Sequence, residues 1–263
     1  MFAEPTAAVA WIEDIHRPLD RASLDALLRN EIPFIRIKRF APPAACEALV
    51  ARACTEGFSV YRDVEPKINR IGNTVFEYNH ISRGEYFRGN IETRAVQARI
   101  FAGSFDPVAQ FLALLRAATR YPARIARGDG GEDYYAGLVR RIESGTLVHI
   151  DFAPAEQSGW EVGRVKYQLS WNLYLRTTPG GGGRTHVYNR QWMPGDDRHR
   201  QGSYGFDPRV VGDAEKATFD PEVGEIVIFN TRNFHCVEET RGERVTVASA
   251  IGMLPNNELV LWS

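Results

Sequence analysis

Residues 166–175 read Lys-Tyr-Gln-Leu-Ser-Trp-Asn-Leu-Tyr-Leu. Odd positions Tyr167, Leu169, Trp171, Leu173 and Leu175 are apolar. Even positions Gln168, Ser170, Asn172 and Tyr174 carry polar groups. Side chains alternate across a strand, so this pattern predicts a strand with one packing face and one polar face. The same texture recurs on either side: YYAGLVRRIE (134–143), TLVHIDF (146–152), RTHVYN (184–189), EIVIFN (225–230), RVTVASAIG (244–252) and ELVLW (258–262). Gly145, Pro179 with the run Gly180–Gly183, Pro194-Gly195, Pro221, Gly224 and Gly242 separate these runs. Many short strands with glycine-rich turns predict a β-sandwich or small barrel.

Upstream of residue 134 the texture is helical. Residues 20–28 place apolar side chains at helical spacing. Residues 31–40, containing IPFIRIKRF, alternate apolar and basic groups as a half-buried strand does. Pro42-Pro43 opens a helix that Gly57 closes, and 105–120 is a further amphipathic helix. Residues 60–92 are polar and aromatic with weak periodicity and read as long loops. The expected fold is mainly β with a helical N-terminal layer. Residues 1–133 would supply helical and loop support and a lid, and 134–263 the core. No polar linker divides the chain, so 1–263 reads as a single domain.

Composition narrows the functional classes. The 263 residues carry 32 basic and 33 acidic side chains, a net charge of −1, so no long-range field favours nucleic acid or an anionic membrane. No apolar run approaches a membrane span. Glu4 stands where a signal peptide places positive charge, and no apolar core follows it. Cys46, Cys54 and Cys236 cannot all pair and show no CxxC spacing, which fits a reducing, cytoplasmic setting without a thiolate zinc site.

His149-Ile150-Asp151 carries the sharpest chemical signal. On a strand, residues i and i+2 share a face, so His149 and Asp151 would project together. His235 lies downstream beside a strand candidate. Two imidazoles and one carboxylate on one face of a metal form the facial triad that suits non-haem Fe(II) and leaves positions open for cosubstrate and O₂. HxD alone is weak, and an isolated histidine is more often a core or surface residue bonded to backbone. Arg244 and Thr246, on one face of a later strand, strengthen the pattern: a guanidinium fork plus a hydroxyl suits the distal carboxylate of a 2-oxo diacid. The plainer reading of Arg244 is a rim ion pair with Glu243 or Glu225.

The ordered set HID, GGGGRTHVY, PEVGEIVIFN, His235 and GERVT resembles the Fe(II)/2-oxoglutarate-dependent oxygenases over roughly the last half of the chain. The runs KYQLSWNLYLRTTPGGGGRTHVYNRQW and INRIGNTVFEYNH and the ending LVLWS are similar to the branch holding freestanding welwitindolinone-type alkaloid halogenases and N-acyl amino acid hydroxylases. The resemblance implies a double-stranded β-helix (jelly roll, cupin-like) core. It implies a metal triad of His149, Asp151 and His235, with Arg244 and Thr246 on the C5 carboxylate of 2-oxoglutarate. The cofactors implied are Fe(II), 2-oxoglutarate and O₂. The halogenases replace the triad carboxylate with Gly or Ala to admit chloride; this chain keeps Asp151, which implies a hydroxylase.

The polar face of 167–175 would line the lumen, making Tyr174 and Asn172 candidate neighbours of 2-oxoglutarate; Thr185 would share it. His186, of opposite parity, would face away. His199 reads as a solvated loop residue, His16 and His80 lack partners at ligand spacing, and Cys236 is a small buried apolar residue by default. The glycine run lacks the Lys-Ser/Thr and helix start of a P-loop and reads as a hairpin connection. The expected activity is hydroxylation of an unactivated C–H bond in a small molecule: an amino acid, a derivative of one, or another natural-product intermediate. The same oxidant could desaturate, epoxidise or close a ring. Loops 60–92 and 189–212, with Arg140 and Arg141, are candidates for substrate recognition; the plainer reading of the two arginines is a rim cluster with Glu143. Two other classes compete: a cupin-like metalloprotein without 2-oxoglutarate, and a non-enzymatic jelly-roll binding module.

Overall fold

A computed structural model describes residues 10–11, 17–78 and 81–263. The strand that decided the reading runs Tyr167–Thr177 and lies inside a nine-stranded sheet. On one side it pairs antiparallel with Ile226–Asn230, which pairs in turn with Phe34–Ile37. On the other it pairs with Arg244–Met253 over ten positions. The first half of that long strand pairs with Leu138–Arg141, and the second half with Leu259–Trp262. A three-stranded sheet orders Lys216–Phe219, Thr185–Gln191 and Asn233–Val237.

The alternation of 167–175 appears directly in the packing. Leu169, Trp171, Leu173 and Leu175 belong to the large core shared with the N-terminal helices. Helices Arg21–Leu28, Pro43–Glu56 and Pro107–Thr119 contribute Leu24, Leu27, Leu49, Val50, Phe111 and Leu115 to it. Trp171 stacks on Phe111 with ring centroids 4.5 Å apart. Tyr174, on the opposite parity, joins a separate cluster with Val187, Phe219, Val227 and Phe229. That cluster takes side chains from both sheets, so the polar face of the large sheet looks toward the small one.

Local chemistry explains the helix ends. Asp106 accepts from the amides of Val108 and Ala109 at 2.9 and 3.0 Å, with Pro107 opening the helix behind it. Asp20 and Ser23 cap Arg21–Leu28 reciprocally.

Two expectations are corrected. Residues 60–92 are not all loop: Arg83–Phe101 is a helix, capped by Ser82. It is held by Tyr86, which packs edge-on against Phe87 and Trp160, rather than by an apolar stripe. Residues 146–152 form no regular strand; His149 makes only isolated bridges, to His235 and Gly205. Among the described residues no helix is long and apolar enough to cross a membrane. His16 and His80 lie outside the described residues.

Candidate active site and metal centre

Three main-chain bonds assemble the triad, joining His149 and Asp151, which lie on no regular strand, to His235 on strand Asn233–Val237 and to Thr231. His149 and His235 exchange amide-to-carbonyl bonds, each 2.9 Å, and the Asp151 amide donates to the Thr231 carbonyl at 2.9 Å. The imidazole centroids stand 4.2 Å apart, and His235 Nε2 lies 3.6 Å from Asp151 Oδ2. One ligand atom from each of His149, Asp151 and His235 falls within 4.8 Å of the others.

The rings are also oriented. His149 Nδ1 bonds the Leu147 carbonyl at 2.8 Å, and His235 Nδ1 bonds the Asn233 carbonyl at 2.9 Å. A carbonyl only accepts, so each Nδ1 carries the proton and each Nε2 presents a lone pair. Burial, reinforced by His235 beside it, pushes His149 down to about 4, so the ring is neutral at ordinary pH. Burial opposes ionisation of Asp151, but the imidazoles beside it and the Arg140 charge outweigh that and hold the carboxyl well below its usual range. Two neutral nitrogens and one anionic oxygen on one side are the donor set that Fe(II) takes.

Arg244 forms the second element. Its side chain is 4% exposed, and its Nη2 donates to the Tyr174 hydroxyl and Thr185 Oγ1, each at 3.3 Å. Its Nε donates to the Gly183 carbonyl at 3.2 Å. Burial pushes its pKa down, and no carboxylate pairs with it among the described residues. The rim reading fails because its proposed partners are taken: Glu243 pairs with Arg176, and Glu225 with Arg36. Thr246 is fully buried, and its hydroxyl has no partner among the described residues. A buried cation and a buried hydroxyl, both short of an acceptor, fit a bound carboxylate.

Asn172 does not join this set; it accepts from Arg140 Nη2 at 2.9 Å and donates to Ser170 Oγ. Arg141 does pair with Glu143, at 3.4 Å, as the plainer reading expected. His186 faces away, between Thr218 and Glu238. His199 sits in the Pro194–His199 turn, and Cys236 is only partly buried.

Sequence reasoning missed two supports. Gly183 has φ +73, and a Cβ there would meet Thr240 Oγ1 at 2.4 Å, so only glycine lets its carbonyl reach Arg244. Asn30 accepts from Asn233 Nδ2 at 2.6 Å and so fixes the residue whose carbonyl orients His235. A glycine just before the RTHVY run was a visible signal; Asn30 left none in the sequence.

A cavity of about 180 Å³ opens on His149 and Asp151. Segment 60–92 walls it with Tyr61, Val64, Ile68 and Phe76, whereas segment 189–212 contributes Tyr204 alone. Glu156 also faces it; burial and the Asp151 charge raise its carboxyl to about 7.

Comparisons agree with this geometry. Residues 15–263 match the family described as carrier-protein-independent halogenase WelO5. The chain is 38% identical over 216 residues to Leucinostatins biosynthesis cluster protein S of Purpureocillium lilacinum, covering 76% of this chain and 87% of that protein. It is 34% identical over 137 residues to the L-gamma-glutamyl-L-propargylglycine hydroxylase of Streptantibioticus cattleyicolor, covering 51% of this chain and 50% of that one. Its fold is similar to that of an N-substituted L-amino acid dioxygenase from Burkholderia ambifaria, solved in complex with alpha-KG. The TM-score is 0.60 at 16% identity, over 92% of this chain and 90% of that one. With a donor set that fits Fe(II) and a buried cation that fits 2-oxoglutarate, the chain belongs to the WelO5 family, a branch of the Fe(II)/2-oxoglutarate-dependent oxygenases.

Proposed function

We propose that this enzyme hydroxylates an unactivated C–H bond of a small molecule. The observation that carries the reading is Asp151 within the triad: a carboxylate occupies the position that a halide would need. His149, Asp151 and His235 would hold the iron, and Arg244 with Thr246, Tyr174 and Thr185 would hold the C5 carboxylate of 2-oxoglutarate. When bound, Fe(II) with 2-oxoglutarate and O₂ supplies oxidation of a C–H bond, with 2-oxoglutarate becoming succinate and CO₂.

The chain's own residues do the rest. The carbonyls of Leu147 and Asn233 keep both imidazoles in the tautomer that binds metal. Tyr174 and Thr185 steer the guanidinium so that its remaining donors face a ligand. Apolar side chains such as Ile68, Phe76 and Phe152 keep water from the oxidised carbon. We read the two sheets as the halves of a double-stranded β-helix and 1–263 as one functional unit, with the N-terminal helices buttressing the large sheet. The names of the hydroxylase and dioxygenase relatives support an amino acid derivative as substrate.

The test is an anaerobic titration of the metal-free protein with Fe(II), then 2-oxoglutarate, monitored by the visible charge-transfer band of the chelate. The expected band grows with wild type and weakens in Arg244→Ala. Folded, iron-loaded wild type without a band would move the assignment to a cupin-like metalloprotein. A substrate screen by mass then reads a gain of one oxygen, and a chlorinated product in its place would overturn the hydroxylase assignment.

A further inference from the structure

Strand Leu138–Arg141 and its neighbours carry several arginines, and one of them lacks an acidic partner. Arg141 pairs with Glu143 and lies over Phe58, and Arg70, opposite Arg140 in the sheet, pairs with Glu77. Arg140 forms no ion pair among the described residues. Its Nη2 is tethered to Asn172 Oδ1, and its Nε is buried and donates to nothing among the described residues. The side chain lines the cavity that holds His149 and Asp151, and its charge is felt by both and by Arg244. Asp151 lines the same cavity, but in the oxygenase reading its charge would be taken by the metal. The side chain is partly buried and faces the cavity without an acidic partner among the described residues, which leaves the cation open to an anion that enters there.

We infer that Arg140 binds the carboxylate of the organic substrate beside the metal triad, and so selects carboxylic acids with an apolar body. The inference rests on the oxygenase reading above. In that reading both carboxylates of 2-oxoglutarate are already assigned, one to iron and one to Arg244. The anion for Arg140 must therefore arrive on a second molecule. The tether to Asn172 holds the guanidinium plane at the cavity wall, so the Nη donors that Asn172 does not use are pre-positioned for a carboxylate. The lining is mixed, with Gln168, Ser170 and Glu156 among it, and its apolar members Val64, Ile68, Phe76 and Trp262 fit a hydrocarbon chain attached to that carboxylate.

The experiment uses full-length protein loaded anaerobically with Fe(II) and 2-oxoglutarate. The probes are a set of N-acetyl amino acids with apolar side chains, each paired with its C-terminal amide, and binding is read by calorimetry. Wild type is expected to bind at least one acid more tightly than its amide, and Arg140→Gln to lose that preference by roughly 10- to 100-fold. Arg140→Lys should recover part of it, because the charge remains without the fork. The 2-oxoglutarate dependence of the charge-transfer band should be unchanged in both variants. In the metal-free protein, Arg140→Gln should melt at or above wild type, since a cation without its anion is removed; this also confirms that the variant folds. Weakened 2-oxoglutarate binding in Arg140→Gln would assign the carboxylate to the cosubstrate and overturn the inference. A wild-type protein that forms the band yet binds no acid better than its amide would overturn it too, leaving the oxygenase reading intact. Absence of the band in wild type would instead remove that reading and this inference with it.

Discussion

Arg244 donates to the Tyr174 hydroxyl at 3.3 Å, and this phenol, fully buried, stands where a carboxylate would otherwise pair with the guanidinium. The pair is a prepared anion site: the charge has been taken out of water, and its position is fixed before any ligand arrives.

Arg244→Ala should therefore raise the 2-oxoglutarate concentration needed for half-maximal band intensity by roughly 100-fold, the scale of losing one partner of a buried, charged hydrogen bond. Tyr174→Phe removes only an orienting contact and should cost about 3- to 10-fold. Equal effects of the two substitutions would contradict the division of roles.

Removal of the buried charge has a second expected consequence. Arg244→Met should leave the metal-free protein as stable as wild type or more so, because a desolvated cation that lacks an anionic partner among the described residues is replaced by an apolar stem. The added thermal shift that 2-oxoglutarate gives the iron-loaded wild type should vanish in the variant. Differential scanning fluorimetry with and without the diacid reads both.

Asp151→Gly should abolish hydroxylation while leaving two histidines and an open position. Added chloride should then perturb the Fe(II)·2-oxoglutarate band, which it should not do in wild type. Full hydroxylation in this variant, measured as product mass per 2-oxoglutarate consumed, would falsify the ligand assignment.

Asn30→Gly keeps the backbone at φ 61 comfortable and deletes the amide that accepts from Asn233 and donates to Asn189. We expect a loss of about 1–3 kcal/mol in urea unfolding and roughly tenfold weaker Fe(II) binding, because the His235 ring loses its indirect brace. Unchanged metal affinity in a destabilised variant would show that the brace is structural alone.

Glu156 sets a pH dependence. Its carboxyl ionises near 4.5 ordinarily and near 7 in the fold, because burial, Asp151 and Asp197 outweigh Arg200 at 3.6 Å. Between those values the folded chain keeps a proton that the unfolded chain releases. The stability from this group is therefore full below about pH 4.5 and lost as pH rises through about 7. Metal-free Glu156→Gln should exceed wild type at about pH 8 by on the order of 2 kcal/mol, a gap that closes toward pH 5. Urea unfolding at both pH values measures it.

The face assignment of 167–175 was legible because a period of two survives in any sheet, and all four of its even residues lie away from the helical core. The helix Arg83–Phe101 was not legible. Gly84 and Gly89 lower its propensity, and Ile91 is 77% exposed, so no stripe marks it; Tyr86 holds it through aromatic contacts made only in the fold. The HxD spacing pointed to the triad, yet for a partly wrong reason. His149 and Asp151 converge through bonds to the carbonyls of His235 and Thr231, not through strand pleating. Asn172 has the parity of Tyr174 but serves Arg140, since parity selects a face and not a neighbour.

Main-chain bonds fix the metal ligands and buried polar contacts to Gly183, Tyr174 and Thr185 fix Arg244, whereas Tyr61, Val64, Ile68 and Phe76 approach the cavity from a largely irregular segment far away in the chain. The reagent and the mould that selects its target are thus separately editable. If the cavity takes the substrate as proposed, changes between residues 61 and 76 should retarget the oxidation while the metal and diacid sites stay constant, and libraries aimed at altered selectivity belong there.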